Sequence, residues 1–211
     1  VEPNGNRVID LQYVSHTVTA SKPALTGLPA TYCEQDNEAE TLSILLRDPV
    51  ADVQVELLYT VFAGYDALAR SARIVNTGGP PLHLTRAMGL CLDLPDCDYD
   101  FIHFSGAWSR ERQRKDRRLE QGVQSVGSVR GCSSHNHNPF VILKRPTADE
   151  DKGEAIGFSL IYSGNFLAQA EVDSWNTTRV LMGIHPFGFD WKLEAGESFQ
   201  APEAVIVYTA D

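Results

Sequence analysis

Apolar and polar residues alternate with a period of two in one segment after another of this chain. In residues 40–47, Leu42, Ile44 and Leu46 fall on one face of an extended strand and Thr41 and Ser43 on the other. Residues 53–62 begin with the same period and are rich in β-branched and aromatic side chains. Residues 67–76 run into an Asn-Thr-Gly-Gly-Pro-Pro loop. Residues 7–14 open with alternation, and 16–20 continue it after a bend. Segments 82–92, 99–104, 124–129 and 140–145 follow in the same style.

Near the C-terminus, runs 156–162 and 166–173 flank Ser-Gly-Asn, a short Gly-containing link of the kind that closes β-hairpins. A third run, 179–184, precedes Phe187, Phe189 and Trp191 at period two, and then the turn chemistry of Glu194-Ala-Gly-Glu197. Only residues 109–119 have a composition that invites a helix, and that stretch is of marginal length. About a dozen or more strands punctuated by Gly, Pro and Asp, without strand–helix alternation, predict an all-β sandwich or barrel of mostly antiparallel strands. No repeat, low-complexity tract or linker divides the chain, and Thr147–Gly153 is a polar loop, so residues 1–211 are expected to be one domain.

The hydrophobic fraction of 43% suffices for a substantial core, and the net charge of −10 argues against a general nucleic-acid binder. There is no apolar run near 18 residues and no signal-peptide pattern at Val1, so no membrane span is expected. Four cysteines, Cys33, Cys91, Cys97 and Cys132, are sparse for a disulfide scaffold and read as reduced, small and mostly buried. Cys91 and Cys97 could meet across a turn under oxidising conditions. The Asn176-Thr-Thr sequon decides nothing.

Three groups of residues could carry chemistry. Glu171 and Asp173 sit two apart on one strand face, at about 7 Å, near the separation a retaining glycosidase needs. The plainer reading is the solvent face of a hairpin strand, with Ala170 and Val172 pointing inward. The run from Arg130 to Phe140 gathers Cys132, Ser134, His135, His137 and Asn138. His135 and His137 would project together if extended, but zinc needs three or four ligands, and no signature spacing supplies the rest. Ser134 beside His135 is not a nucleophile motif, because adjacent strand residues face opposite ways. The third group is Trp108, Arg110, Arg112 and the basic run behind them. Six of the 18 basic residues lie between Arg110 and Arg118. A nucleic-acid patch would interleave aromatics, which this run lacks. A solvated charged face or a contact surface for acidic protein remains.

These blocks carry a resemblance. Gly131, Ser133, Ser134, His135, Asn138, Pro139 and Phe140 match a Gly-x-Ser-Ser-His-x-x-Asn-Pro-Phe segment, and Ser105 to Arg112 match Ser-Gly-Ala-Trp-x-Arg-Glu-Arg. Further matching pieces are Leu28-Pro-Ala-Thr-Tyr32, Glu38-Ala-Glu40-Thr-Leu42, Tyr65-Asp-Ala, Arg70-Ser-Ala-Arg73 and Leu92-Asp-Leu-Pro-Asp96, with the 157–203 stretch besides. The chain thereby resembles the N-terminal β-domain of family 36 of the glycoside hydrolases, the bacterial and fungal alpha-galactosidases.

The resemblance implies a β-supersandwich like that of galactose mutarotase, and it implies that the catalytic aspartates lie on a barrel beyond Asp211. An Asp-Phe-Arg segment implicated in substrate contact would precede Val1. No catalytic residue, metal or cofactor is then expected in this chain. Its partners would be the barrel of the same polypeptide and further copies in a homo-oligomer. The alpha-galactoside (melibiose or raffinose) would be met only indirectly, and a bacterial cytoplasmic location is expected, or secretion if a signal precedes Val1. Trp108, Arg110, Arg112, His135 and Asn138 become candidates for the substrate mouth or an interface, since aromatic rings serve both sugar stacking and interfaces. Two other functions compete: a stand-alone carbohydrate-binding module acting through Trp108, Trp175 or Trp191, and a mutarotase-like epimerase using His135 or His137 with Glu171.

Overall fold

Alternating sequence becomes alternating burial when two sheets face each other, and that is how this chain folds. The computed structural model describes residues 1–210. It holds β1 (Gln12–Ala20), β2 (Ala39–Asp48), β3 (Val53–Phe62), β4 (Ala67–Asn76), β5 (Leu82–Leu84), β6 (Leu90–Leu94), β7 (Asp100–Ala107) and β8 (Arg110–Arg118). Then come β9 (Gly122–Ser128), β10 (His137–Lys144), β11 (Ala155–Leu160), β12 (Phe166–Val172), β13 (Thr178–Ile184), β14 (Trp191–Leu193), β15 (Ser198–Gln200) and β16 (Ala204–Thr209). One 3-10 turn, Asp36–Glu38, is the only helical element among the described residues.

A ten-stranded antiparallel sheet runs in the order β1-β2-β3-β4-β16-β11-β10-β7-β8, with β15 also beside β4. A four-stranded sheet, β6-β13-β12-β9, lies against part of it, and β5 pairs with β14. The main core fills the space between the two larger sheets. Phe101, Leu143 and Phe158 from one side meet Phe166, Ala168, Val180 and Met182 from the other, all at 1% exposure or less. Burying each large side chain is worth about 1.5–3 kcal/mol, so this cluster dominates the fold. A second cluster, with Val53, Ala72, Leu82, Leu193 and Phe199, forms where the β5–β14 ribbon covers β3 and β4. The all-β supersandwich read from the sequence is the fold observed.

Three local expectations change. Runs 156–162 and 166–173 do not form a hairpin: β11 pairs with β10 and β16, whereas β12 pairs with β13 and β9. Ser163-Gly164-Asn165 instead crosses between sheets. Three residues reach about 10 Å, the spacing of stacked sheets, so the link fits either outcome. The inward faces decide, because Phe158 and Leu160 bury against Phe166 and Ala168.

Run 82–92 splits into β5 and β6 in different sheets. The break is tight at Gly89, where a Cβ would lie 2.1 Å from the Pro202 carbonyl oxygen. Residues 109–119 are not helical but contain the edge strand β8, exposed at every position. With both faces in water it shows no apolar period, and pairing with β7 fixes its conformation.

Candidate functional site

Four chain connections meet at one end of the sandwich. The β7–β8 hairpin pairs Ala107 with Arg110, leaving Trp108 and Ser109 at its tip. Gly106 permits the close return, since a Cβ there would lie 2.6 Å from the Arg110 carbonyl oxygen. The 130–137 connection closes on itself through a Ser134–His137 bridge, which makes residues 135 and 136 a turn. Asn136 ties that turn to the hairpin: its carbonyl accepts from Gly106 N at 3.2 Å and its Oδ1 accepts from Arg130 Nη1 at 2.7 Å. Gly131 N donates to Asn165 Oδ1 at 2.6 Å and Ser133 N to the Ser163 carbonyl at 2.7 Å, which bring in the β11–β12 crossing. His185 N donates to the Asn165 carbonyl at 3.1 Å, adding the loop after β13 with its exposed Phe187.

The candidate residues fall on two of these neighbouring connections. Trp108 is 84% exposed at the tip, and Arg110 is exposed beside it. His135 is exposed on the adjoining turn. Arg112 is exposed on β8 with a left-handed φ of 55°. Asn138 is half-buried at the start of β10, and its Oδ1 has no hydrogen-bond partner. On β8, Arg114 pairs with Asp116 at 2.8 Å and Arg118 with Asp98 before β7, whereas Arg110, Arg112 and Lys115 make no ion pair among the described residues.

His135 and His137 do not project together, because the turn separates them. His137 packs on buried His103 with ring centroids 5.9 Å apart. Arg117 Nη2 lies 2.9 Å from His103 Nε2, which makes that nitrogen the acceptor. Burial, then the Arg117 charge, pushes His103 down to about 4, and burial lowers His137 as well. At neutral pH the His103 imidazole is therefore uncharged. Among the described residues, no three His, Cys, Asp or Glu side chains gather to hold a metal.

All four cysteines are free, but they are not mostly buried: Cys91 and Cys132 are exposed, and Cys33 and Cys97 half-buried. Strand alternation puts Leu90 inward on β6, so Cys91 points outward.

Glu171 is exposed on β12, whose hairpin partner is β13, and its neighbours Ala170 and Val172 are buried. Asp173 caps the following turn, accepting from Thr177 Oγ1 at 2.7 Å and from the Trp175 and Thr177 amides. The Thr177 hydroxyl bond, then the amides, hold its carboxyl below the usual range. Glu171 lies about 16 Å along β12 from the end that faces His135, so these groups do not converge. Trp175 sits on the turn at that far end, and Trp191 lies on β14 against Phe199 at 5.4 Å. The three tryptophans share no row. The burial of Arg70, His103 and Glu203 escaped the sequence reading: Arg70 and Glu203 fall in matching segments, but nothing local marks them as buried, and His103 lies in no such segment.

Comparison with known proteins agrees with this architecture. The profile of the glycosyl hydrolase family 36 N-terminal domain matches residues 1–194. Alpha-galactosidase AgaA of Geobacillus stearothermophilus is 52% identical over 206 residues, covering 98% of this chain and 28% of AgaA. Its crystal structure superposes with a TM-score of 0.98 over 99% of this chain, and AgaA variants have been solved with raffinose and with stachyose. Alpha-galactosidase 2 of Hypocrea jecorina is 42% identical over 97% of this chain and 27% of its own length. An Escherichia coli K12 protein named for aldose 1-epimerase shares the fold alone, at 13% identity and a TM-score of 0.50 over 96% of this chain and 69% of its own. The chain thus spans less than a third of the alpha-galactosidases it matches. By sequence and by structure along nearly its whole length, it belongs to the glycosyl hydrolase family 36 N-terminal domain family.

Proposed function

We propose that this chain is the single N-terminal β-domain of an alpha-galactosidase that hydrolyses terminal alpha-galactosides such as melibiose and raffinose. It supports the catalytic barrel of the same polypeptide and shapes the active-site mouth, while the reacting carboxylates belong to that barrel. The carrying observation is the alignment of 98% of this chain to 28% of AgaA. The loop end bearing Trp108, Arg110, Arg112, His135 and Asn138 serves as the mouth or as a contact between subunits of a homo-oligomer. Two features support that role: Trp108 is exposed, and among the described residues Arg110 and Arg112 beside it have no acidic partner. The enzyme works without a cofactor in a bacterial cytoplasm.

An assay with an aryl alpha-galactoside tests the reading. The chain alone should give background turnover, and the longer polypeptide encoded by the same gene should hydrolyse it. In that polypeptide, Trp108→Ala should raise KM or weaken subunit association. Hydrolysis by the chain alone would refute the proposal.

A further inference from the structure

A cleft of about 280 Å³ opens between the second core cluster and the N-terminal strap formed by residues 1–11. Val53, Val55, Ile74 and Leu84 are among its apolar walls. The strap is pinned over it, with Val1 N donating to the His83 carbonyl at 2.6 Å and Asp10 N to Asp48 Oδ2 at 2.8 Å.

Arg70 projects into this apolar space from β4, 8% exposed. Its guanidinium lies over Tyr59 at 5.3 Å, and Nη1 donates to the Gly89 carbonyl at 3.2 Å, but the buried Nε has no partner. Among the described residues, no carboxylate comes within ion-pair distance of Arg70 or of Arg86, which also lines the cleft and donates through Nη2 to Gln169 Oε1 at 3.4 Å. Arg7 lies on its rim as a third cation. Glu2, the one acid in the lining, spends its carboxylate on the side-chain amides of Asn4 and Asn6. A buried cation without a counter-ion is costly, and the Nε edge of a guanidinium is shaped to bind a planar carboxylate through two parallel bonds.

We infer that the cleft is a binding site for a small free carboxylate with an apolar body, its head on Arg70 and Arg86 and its tail on the β3–β4 wall. The volume is at the small end of ligand cavities, and the strap forms one of its walls, which fits a molecule of about six carbons better than a polypeptide segment.

Hexanoate is the probe, with hexanol as its uncharged counterpart, followed by thermal unfolding of this chain and of the longer polypeptide from the same gene. At roughly ten times its Kd, hexanoate should raise Tm by about 3–6 °C in this chain and by a smaller amount in the longer polypeptide, whereas hexanol should not. Arg70→Met should abolish the rise and Arg70→Lys weaken it. Should Arg70→Met fold poorly, the Arg70 Nε–H resonance of the unaltered chain should move on titration. An equal response to hexanol, a rise that survives Arg70→Met, or a still resonance overturns the site. Loss of the response in the longer polypeptide alone overturns the free ligand, because the site is then filled from within.

Discussion

Lys22 Nζ lies 2.7 Å from Glu203 Oε2, and the two side chains are only 3% and 2% exposed. The same carboxylate accepts from Thr31 N at 2.9 Å and Thr31 Oγ1 at 2.6 Å, so one acid fastens the β1–β2 connection to the chain leading into β16. Next to it, the Glu203 carbonyl accepts from Ile161 N at 2.8 Å. Among the described residues the ammonium has this one ion pair and no aligned hydrogen-bond acceptor, so Glu203 is its single counter-charge there.

Glu203→Gln keeps the side-chain volume but leaves Lys22 buried without a counter-charge, and should cost about 3–5 kcal/mol. Urea unfolding should show a lower midpoint with an unchanged slope. Adding Lys22→Met should recover a large part of the loss. A single-mutant cost below about 1 kcal/mol would show that solvent reaches the pair.

Acid stability should report the buried histidines. His103 is held at about 4 against an ordinary value near 6.5, by burial first and by Arg117 next, with His137 and Lys115 adding and Asp116 opposing. The unfolded chain therefore binds a proton that the folded chain refuses as pH falls from about 6.5 to 4. Stability must decline across that window and gain no further slope from His103 below it. His103→Phe should flatten the pH 4–6.5 limb. It should leave intact the steeper loss below about pH 4, where Asp48, Asp93, Asp96 and Asp173 protonate. An unchanged limb would mean that His103 is charged in the fold.

At the loop end, the hairpin tip is set by backbone contact and not by the tryptophan it carries. Gly106→Ala would place a methyl group 2.6 Å from the Arg110 carbonyl and 2.7 Å from Glu111 Cα, so the strands must part, at about 1–3 kcal/mol. Trp108→Ala, at a position 84% exposed, should change stability by less than about 0.5 kcal/mol. Hydrogen exchange at the Gly106 amide, bonded to Asn136, should accelerate in the first variant only.

The contrast between these sites shows what the sequence makes legible. Val53–Phe62 and Ala67–Asn76 were readable to the residue, because one apolar face per strand is written directly into alternation. β8 was not, since an edge strand solvated on both faces carries no period, and its Arg- and Lys-rich composition equally suits a helix. The Ser163-Gly164-Asn165 link misled because turn chemistry specifies a reversal, not whether the next strand pairs beside or stacks above. The resemblance blocks around Trp108 and His135 fall on adjoining loops, although some 20 residues separate them in sequence, and the Gly106–Asn136 bond and the Ser105–His137 strand pairing reveal it. Lys22–Glu203 and Arg70 depend on long-range burial, which no local window contains.

Arg145 supplies the last test, because it fills two roles that a lysine cannot combine. Nη1 and Nη2 grip both oxygens of Asp96 at 2.6 and 3.1 Å, while the guanidinium lies 4.0 Å from the Tyr99 ring centroid. Nη1 also reaches the Asp98 carbonyl at 3.2 Å, and Nε lies 3.4 Å from Glu154 Oε1. Lysine preserves the charge but loses the planar fork and its face-on contact with the ring. Arg145→Lys should cost about 1–2 kcal/mol and Arg145→Met more. Burial pushes the Tyr99 phenol up to about 12, and the Arg145 charge is the largest influence restraining it. Phenolate absorbance should therefore show Tyr99 ionising at still higher pH in Arg145→Met, and nearer to the unaltered chain in Arg145→Lys. If the lysine variant matches the unaltered chain in both stability and titration, simple charge is enough and the two-pronged grip on Asp96 contributes nothing.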